Sequence, residues 1–362
     1  MGIKNLSKFI KLFAPNAITH ITLADLQHKT IAFDTSILLY QVVIAILNSG
    51  SPITNIDGVD TSHIHAIIMK TLSFLKKQIN PIFVFDGIPT TLKNTVLLGR
   101  TTLKDNAIVS LQTDSLTYEH TIQLLKQSVH ISQIQMNECK EILSLIGMPF
   151  ITAIEEADCQ CAYLSKQNIV QYVASEDMDL LVFGTKELIR GISHTDITKI
   201  NLNTILTDCN ISMDQFIDIC ILLGCDYCTT IEGIGLQKAY SLIKKFNSIE
   251  NIIVYFDTLI KKNKTINISI EFRNNYQNAR NYFKNHPVVS DVDNLQWKHP
   301  NYDALLNILI NKYSYSSDTV HNLFNNQFSN GYYSKLMGHS LSNVNNIFDN
   351  NNTDLFLNDD NN

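Results

Sequence analysis

ITAIEEADCQCAYLSKQNIVQYVASEDMDLLVFG, residues Ile151 to Gly184, holds two tight acid pairs, Glu156 with Asp158 and Asp177 with Asp179. Each pair sits just after, or just within, an apolar run that reads as a strand. Carboxylates two residues apart at a strand end repel each other and cost folding energy unless something cationic sits between them. Hard oxygen ligands suit Mg²⁺ or Mn²⁺ better than zinc. Two such pairs point to a two-metal site for phosphodiester chemistry, with the ions about 3.5–4 Å apart. One pair alone reads more simply as a solvated acidic loop, so the rest of the chain decides the matter.

Upstream, HKTIAFDTSILLYQVVIAIL runs from an apolar, β-branched strand (Thr30–Phe33) through Asp34 into a helix opening at Thr35 and Ser36. Strand, acid, helix is the order in which α/β folds place ligands at the carboxyl ends of parallel strands. Residues Ser62 to Lys77 have helical periodicity, and Asn80-Pro81 breaks it. PIFVFDG then repeats the design, ending in Asp86 and Gly87. A strand over Ile146–Ala153 leads to Glu156 and Asp158, and a further strand, IVQYVASED, leads to Asp177 and Asp179. The expected fold class is α/β: a mostly parallel central sheet flanked by helices on both faces, with a helical arch and a helix–hairpin–helix element. On such a sheet the acids of four strand ends converge on one edge.

A helix over Ser212–Leu223 runs into Gly224-Cys225-Asp226 and adds a seventh acid. One acid at a strand end is background; seven in this arrangement are hard to explain as solvated surface. TIEGIGLQKAYSLIKKF follows, with Gly233-Ile234-Gly235 read as a tight hairpin between two helices and Lys238, Lys244 and Lys245 beyond it. Such a hairpin brings backbone N–H groups close to phosphate, and the lysines add sequence-blind attraction. A plain helix-packing corner is the blander reading of a lone GIG. Lys93 and Arg100 are seven residues apart, so on one helix they share a face, which Lys104 continues.

Composition bounds the rest. With 362 residues, 45% hydrophobic and 17% charged, the chain is an ordinary globular protein of one large or two smaller domains. No apolar run has the length of a membrane span, no signal-peptide core follows Met1, and Leu6 stands where a myristoylation motif needs Ser or Thr. An intracellular protein is expected. Seven cysteines without a regular framework fit a reducing compartment. Zinc on Cys225/Cys228 with Cys159/Cys161 is the weaker use of that region. The net charge of −6 becomes −2 for residues 1–335, because the last stretch carries Asp349, Asp354, Asp359 and Asp360 and no Lys or Arg. Two bound divalent ions would bring the body to about +2. From about Asn263 the chain is rich in Asn and Tyr, with helices expected over Phe272–Phe283 and Tyr302–Tyr313, and its end is low-complexity and expected to be disordered.

MGIKNL, AFDTS, VFDGIP, NECKEILSLIGMPF, EEAD, SEDMDLLVFG and ILLGCDYCTTIEGIGLQKA resemble, in order and spacing, the motifs of the structure-specific flap endonucleases of DNA replication and repair. The resemblance covers roughly residues 1–300. It implies a single nuclease domain over 1–335, comprising an N-terminal nuclease region (1–104), an arch at about 88–135 and an internal nuclease region (120–250), with a disordered Asn/Asp-rich tail over 336–362. It also implies 5′-flap endonuclease and 5′→3′ exonuclease activity on DNA, in Okazaki-flap processing and base-excision repair. Asp34, Asp86, Glu156 and Asp158 match the first metal's ligands, and Asp177, Asp179 and Asp226 the second's. Two Mg²⁺ ions are expected, with Mn²⁺ able to substitute. Lys93 and Arg100 match the basic pair that meets the scissile phosphate, and Tyr40 the aromatic that stacks beside the cut. Lys70, Glu156, Gly224, Asp226, Gly233, Gly235 and Lys238 fall at or beside DNA-contact positions. Thr230, Ile231 and Ile234 match a hairpin site for a monovalent cation such as K⁺.

The chain also departs from that pattern. Leu47 stands where the family usually has a DNA-contacting arginine, and Ser128–Gln135 of the arch has lost most of its basic residues. No basic nuclear-targeting tail is present. The clamp-binding box is degenerate: Val344, Ile347 and Phe348 keep its apolar spacing, but Leu341 replaces its glutamine. The implied partners are branched DNA with a 5′ flap and, through that box, the sliding clamp, for a monomer with no membrane role. The implied location is the nucleus, with the mitochondrion or a viral cytoplasmic factory as other addresses. Two other readings stay open at this point: a catalytically silent branched-DNA-binding protein, and the nucleotide-excision-repair branch of the same family. The second usually carries a long insertion where only a short arch separates Asp86 from Glu156.

Overall fold

Thr30–Asp34 (β2) and Asn80–Phe85 (β3) are buried at every position, as near-continuous apolar runs are when both faces of a parallel sheet are covered. They pair parallel from Thr30↔Asn80 to Asp34↔Val84. Phe150–Thr152 (β4) adds to the far side of β3, and Tyr172–Ala174 (β5) returns to the other side of β2, both parallel. Glu187–Arg190 (β6) continues in parallel. Ile197–Asn201 (β7) and Ile18–Ile21 (β1) close the sheet as an antiparallel edge. The order is β1-β7-β6-β5-β2-β3-β4. This computed structural model describes residues 2–110, 124, 128–192, 196–261, 267–293, 295–328 and 336–337.

The chain moves one way along the sheet from β2 to β4 and then reverses to β5. Right-handed crossovers therefore put the helices Thr35–Asn48 and Ser62–Lys76 on one face and Ala157–Lys166 on the other. The reversal makes the β2/β5 boundary a topological switch point, where open α/β sheets form their ligand crevice beyond the strand carboxyl ends. Phe33 of β2 stacks on Phe74 at 4.2 Å, so the central strand and a covering helix share one core. Among the described residues no helix is long and apolar enough to cross a membrane.

Several boundaries differ from the sequence reading. The apolar run before Glu156 is not one strand over Ile146–Ala153. Ile146 ends the helix Gln133–Ile146, Gly147 caps it in the left-handed region (φ 87°), and only Phe150–Thr152 pairs. Glycine is required at 147, because a Cβ there would overlap the Lys298 carbonyl oxygen of a crossing segment. That segment is fastened by Lys298 N–H to Gly147 O at 2.8 Å. The late helices run Ile270–Asn285 and Tyr302–Asn311, close to expectation. The tail assigned to 336–362 starts too early, since Leu336 and Met337 are buried; its remainder, with the clamp-like residues, lies outside the described residues. The sequence shows no clear signal for β1, β6 and β7: strands of four and five residues with partly exposed faces bury too few side chains to give a clear period.

Candidate active site

All four acid-bearing strand ends meet at the switch point. Asp34 is the last residue of β2 and the N-cap of Thr35–Asn48, its Oδ1 accepting the Ile37 N–H at 3.2 Å. Asp86 follows β3, and its Oδ1 accepts the Ala157 N–H at 2.8 Å, capping a helix that its own N-cap residue, Glu156, leaves uncapped. Gly87 allows this close approach, since a Cβ there would strike the Ala153 and Ile154 carbonyl oxygens. Asp158 lies in the first turn of Ala157–Lys166. Beyond β5, Asp177 Oδ1 accepts the Asp179 N–H at 3.0 Å, and Asp179 Oδ1 accepts the Ile3 N–H at 2.6 Å.

The electrostatics show how crowded the acids are. Burial, then the charges of Asp86 and Asp177, push the Asp34 carboxyl up to about 8. Burial, then Asp34 and Asp177, hold Asp158 well above the usual carboxylate range. Burial and Asp177 raise Asp179 against the pull of the Ile3 N–H, and Asp226 adds to the repulsion on it. Asp226 thus joins the cluster from the loop after Met213–Leu223, as expected. The Lys93 ammonium is the one protein cation drawn into the site among the described residues, 2.7 Å from Glu156 Oε2. Burial disfavours its charge, but Glu156, Asp158 and Asp226 outweigh that and raise the amine above its ordinary value.

The donor set fits hard divalent cations. Glu156 Oε1 and Asp158 Oδ1 are buried with no hydrogen-bond partner, a costly state that a cation relieves. Seven carboxylates without nitrogen or sulfur suit Mg²⁺ or Mn²⁺. Asp34, Asp86, Asp177 and Asp179 each commit an oxygen to main-chain N–H groups, and Glu156 commits one to Lys93. Among the described residues, however, no three acid, cysteine or histidine side chains stand in an arrangement that could itself hold a metal ion. The zinc reading finds no support there: Cys159 and Cys161 are buried on the helix Ala157–Lys166, while Cys225 and Cys228 face each other across a two-residue turn.

The structure rearranges the basic residues. Lys93 and Arg100 do not share one helix: Lys93 ends a 3₁₀ turn, Thr91–Lys93, and Arg100 lies in the helix Asn94–Ser110 that begins after it. The turn lets Lys93 reach back to Glu156. The Arg100 side chain lies outside the described residues, as does most of the arch, residues 111–123 and 125–127. Tyr40 is half-buried in Thr35–Asn48, less than two turns beyond Asp34. Leu47, near the end of that helix, and Lys70, in Ser62–Lys76, are also half-buried.

At the hairpin, Gly233 takes φ 74° and no atom stands within 4 Å of where a Cβ would lie on Gly233 or Gly235, so the backbone is open to a ligand. Thr230, Ile231 and Ile234 line the turn, with Ile234 N–H bonding Ile231 O at 3.3 Å. Gly224 (φ 111°) packs against Thr230 and the Lys4 stem. The hairpin is not a direct link between two helices, since the first ends at Leu223 and the second is Leu236–Phe246. Lys238 bonds the Gly233 carbonyl at 3.2 Å and stays exposed. Lys244 instead bonds the Cys209 and Asn210 carbonyls at the end of helix Leu202–Cys209, and Lys245 lies over Phe246 and Tyr255. These two lysines serve the fold and not the hairpin mouth.

Two participants escaped the sequence reading. Gly2, at φ 79°, lies so close to Asp179 and Asp177 that a Cβ would collide with both carboxylates. Tyr227 sends its hydroxyl to Glu156 Oε2 at 2.7 Å, with Lys93 Nζ 5.0 Å from its ring centre. GCDYC placed a tyrosine next to a candidate ligand, which was the one available signal.

The XPG N-terminal domain model matches residues 1–107, and the XPG I-region model matches residues 147–226. Flap endonuclease 1 of Plasmodium knowlesi (strain H) is 39% identical over 347 residues, covering 90% of this chain and 57% of its own length. Flap endonuclease 1 of Candida tropicalis is 36% identical over 332 residues, covering 88% and 87%. The solved flap endonuclease-1 from Methanococcus jannaschii aligns with a TM-score of 0.66 at 29% identity, over 90% of this chain and 98% of that one. The catalytic core of Rad2 in complex with DNA substrate aligns with a TM-score of 0.68 at 21% identity, over 90% and 100%, a likeness of fold. The chain spans 57% and 55% of the length of the Plasmodium knowlesi and Plasmodium vivax relatives, and 70% of that of Plasmodium yoelii yoelii.

Proposed function

The chain belongs to the flap endonuclease family, and from that premise we propose that it cuts phosphodiester bonds of branched DNA at 5′ flaps, as an endonuclease and a 5′→3′ exonuclease, in DNA replication and repair. One observation carries this reading: seven carboxylates, several of them buried and mutually repelling, gather at the sheet's switch point around what is, among the described residues, a single lysine. No ligand acid is missing, which speaks against a catalytically silent DNA-binding role.

Asp34, Asp86, Glu156 and Asp158 would hold one Mg²⁺, and Asp177, Asp179 and Asp226 the other. Bound there, the ions would supply an activated water and charge stabilisation at the leaving 3′-oxygen. The protein's own part is positional. Main-chain N–H groups of Ile37, Ala157, Asp179 and Ile3 orient four of the carboxylates. Lys93, with Arg100, offsets negative charge that builds on the scissile phosphate. Tyr40 supports the base beside the cut. Gly233, Gly235 and Lys238 hold the duplex backbone, with K⁺ at Thr230, Ile231 and Ile234. A monomer acting in the nucleus, with a weak sliding-clamp contact through Val344, Ile347 and Phe348, completes the reading. The test is incubation of the full chain with labelled double-flap DNA with and without Mg²⁺, where metal-dependent release of the 5′ flap supports it and absence of cutting refutes it.

A further inference from the structure

Glu156 has two oxygens in different circumstances. Oε2 accepts hydrogen bonds from Tyr227 OH and Lys93 Nζ, each at 2.7 Å, while Oε1 is buried and unpartnered. Tyr227 is itself fixed by rings on several sides: Phe183, Phe283 and Tyr282 lie 6.3, 5.1 and 4.8 Å from it, centre to centre. Lys93 Nζ stands 5.0 Å from its ring centre, within the range of a cation–π contact. One side chain therefore holds a candidate ligand by its hydroxyl and the candidate catalytic cation by its ring. Packing alone would be served equally by phenylalanine, which would leave Glu156 Oε2 with Lys93 only.

We propose that Tyr227 is a positioning residue that keeps Glu156 Oε2 occupied, so that the free oxygen Oε1 is presented to the divalent cation, and that seats Lys93 beside that cation without letting it displace it. Lys93 and Tyr227 then act on metal loading with opposite signs. The tyrosine hydroxyl is an uncharged donor that orients the ligand, as outer partners of metal ligands do. The lysine is a fixed positive charge that neutralises the same carboxylate and repels an incoming ion. Tyr227 contributes to cation binding; Lys93 opposes it in return for its place at the phosphate.

The inference rests on the nuclease reading for the role of Lys93, but its test reads metal occupancy, so a wild-type chain that cuts no flap DNA would overturn that reading separately. Mn²⁺ binding to the full-length wild-type, Tyr227→Phe and Lys93→Ala chains is followed by the electron paramagnetic resonance signal of free Mn²⁺, with a thermal melt of each as a folding control. Tyr227→Phe keeps the ring and its packing and should raise the Mn²⁺ concentration for half-occupancy about tenfold or more, the scale for loss of an outer partner. Lys93→Ala should lower it. A Tyr227→Phe occupancy curve that overlays the wild type, or both variants shifting the same way, would overturn the proposal.

Discussion

Ile3 donates its main-chain N–H to Asp179 Oδ1 at 2.6 Å, tying the start of the chain to an acid 176 residues away. Gly2, next to it, leaves no room for a side chain against the same carboxylate. Gly2→Ala adds a methyl group directed at Asp179 and Asp177 and asks alanine to adopt φ near 79°, at a strain of roughly 1–2 kcal/mol. A displaced ligand carboxylate is expected to slow single-turnover flap cleavage by about 10²-fold, the effect of a 1 Å misplacement. Rapid-quench kinetics at saturating Mg²⁺ checks this, and a rate within twofold of wild type (about 0.4 kcal/mol) would count against the contact.

Lys93→Ala and Arg100→Ala should each lower single-turnover cleavage by about 10²–10³, the scale for losing one preorganised transition-state donor. Flap-DNA affinity should change little in either variant. Fluorescence anisotropy in Ca²⁺ separates the cases: a variant that only weakens binding marks a phosphate anchor.

Binding of branched DNA should depend weakly on salt. Leu47 supplies no charge, while Lys244 and Lys245 are engaged within the fold. Lys238 remains at the hairpin mouth. Each phosphate neutralised contributes about −0.9 to the slope of log K against log[salt], and about three to five phosphates are expected. Lys238→Ala should remove about one unit, and Lys244→Ala almost none. Leu47→Arg should steepen the slope. A wild-type slope near about −8 would show basic contacts beyond these.

A partly buried ion network later in the chain predicts acid behaviour. Arg280 bonds Asp218 at 2.6 and 2.9 Å and Glu250 at 2.6 and 3.1 Å, joining three helices. Burial works against Glu250's charge, but Arg280 holds its carboxyl down at about 2. Its stabilising contribution is therefore complete above the ordinary glutamate value, about 4.3, and is lost as pH falls toward 2. Asp218 has the opposite sign: burial outweighs Arg280 and raises it, so its contribution is present in acid and lost as pH rises through the raised value. Urea unfolding of Glu250→Gln should show a shallower stability loss than wild type between about pH 5 and about pH 2.5. Arg280→Ala should cost about 3–5 kcal/mol at neutral pH, because it strands Asp218 in the core.

The acids were legible in the sequence because parallel strands put their carboxyl ends on one side, so a strand ending in Asp names a site residue directly. Asp34, Asp86, Glu156, Asp158, Asp177 and Asp179 arrive where that rule sends them, whereas Asp226 comes from the loop after the helix Met213–Leu223. What escaped depends on contacts between distant segments. Gly2 meets Asp179, and Tyr227 meets Glu156, only after the sheet has formed. Lys93 and Arg100 do not lie on one helix, because the 3₁₀ turn Thr91–Lys93 comes before the helix Asn94–Ser110 that carries Arg100. Lys244 and Lys245 read as phosphate contacts because their charge is local information, whereas the Asn210 carbonyl and Tyr255 ring that engage them are not.

Cleavage of double-flap DNA by the full chain, measured beside Asp179→Ala, tests whether these acids form a metal-dependent nuclease centre. Asp179 is buried at the meeting of β5, the Ile3 N–H and the other acids. Wild type should release the 5′ flap only when Mg²⁺ or Mn²⁺ is present. Asp179→Ala should give no measurable release, and branched-DNA binding by that variant should be as tight as wild type or tighter, because one carboxylate fewer faces phosphate. Cutting by wild type in excess chelator, or by Asp179→Ala at about a tenth of the wild-type rate or more (a loss of only about 1.4 kcal/mol), would contradict a metal-dependent nuclease centred on these acids.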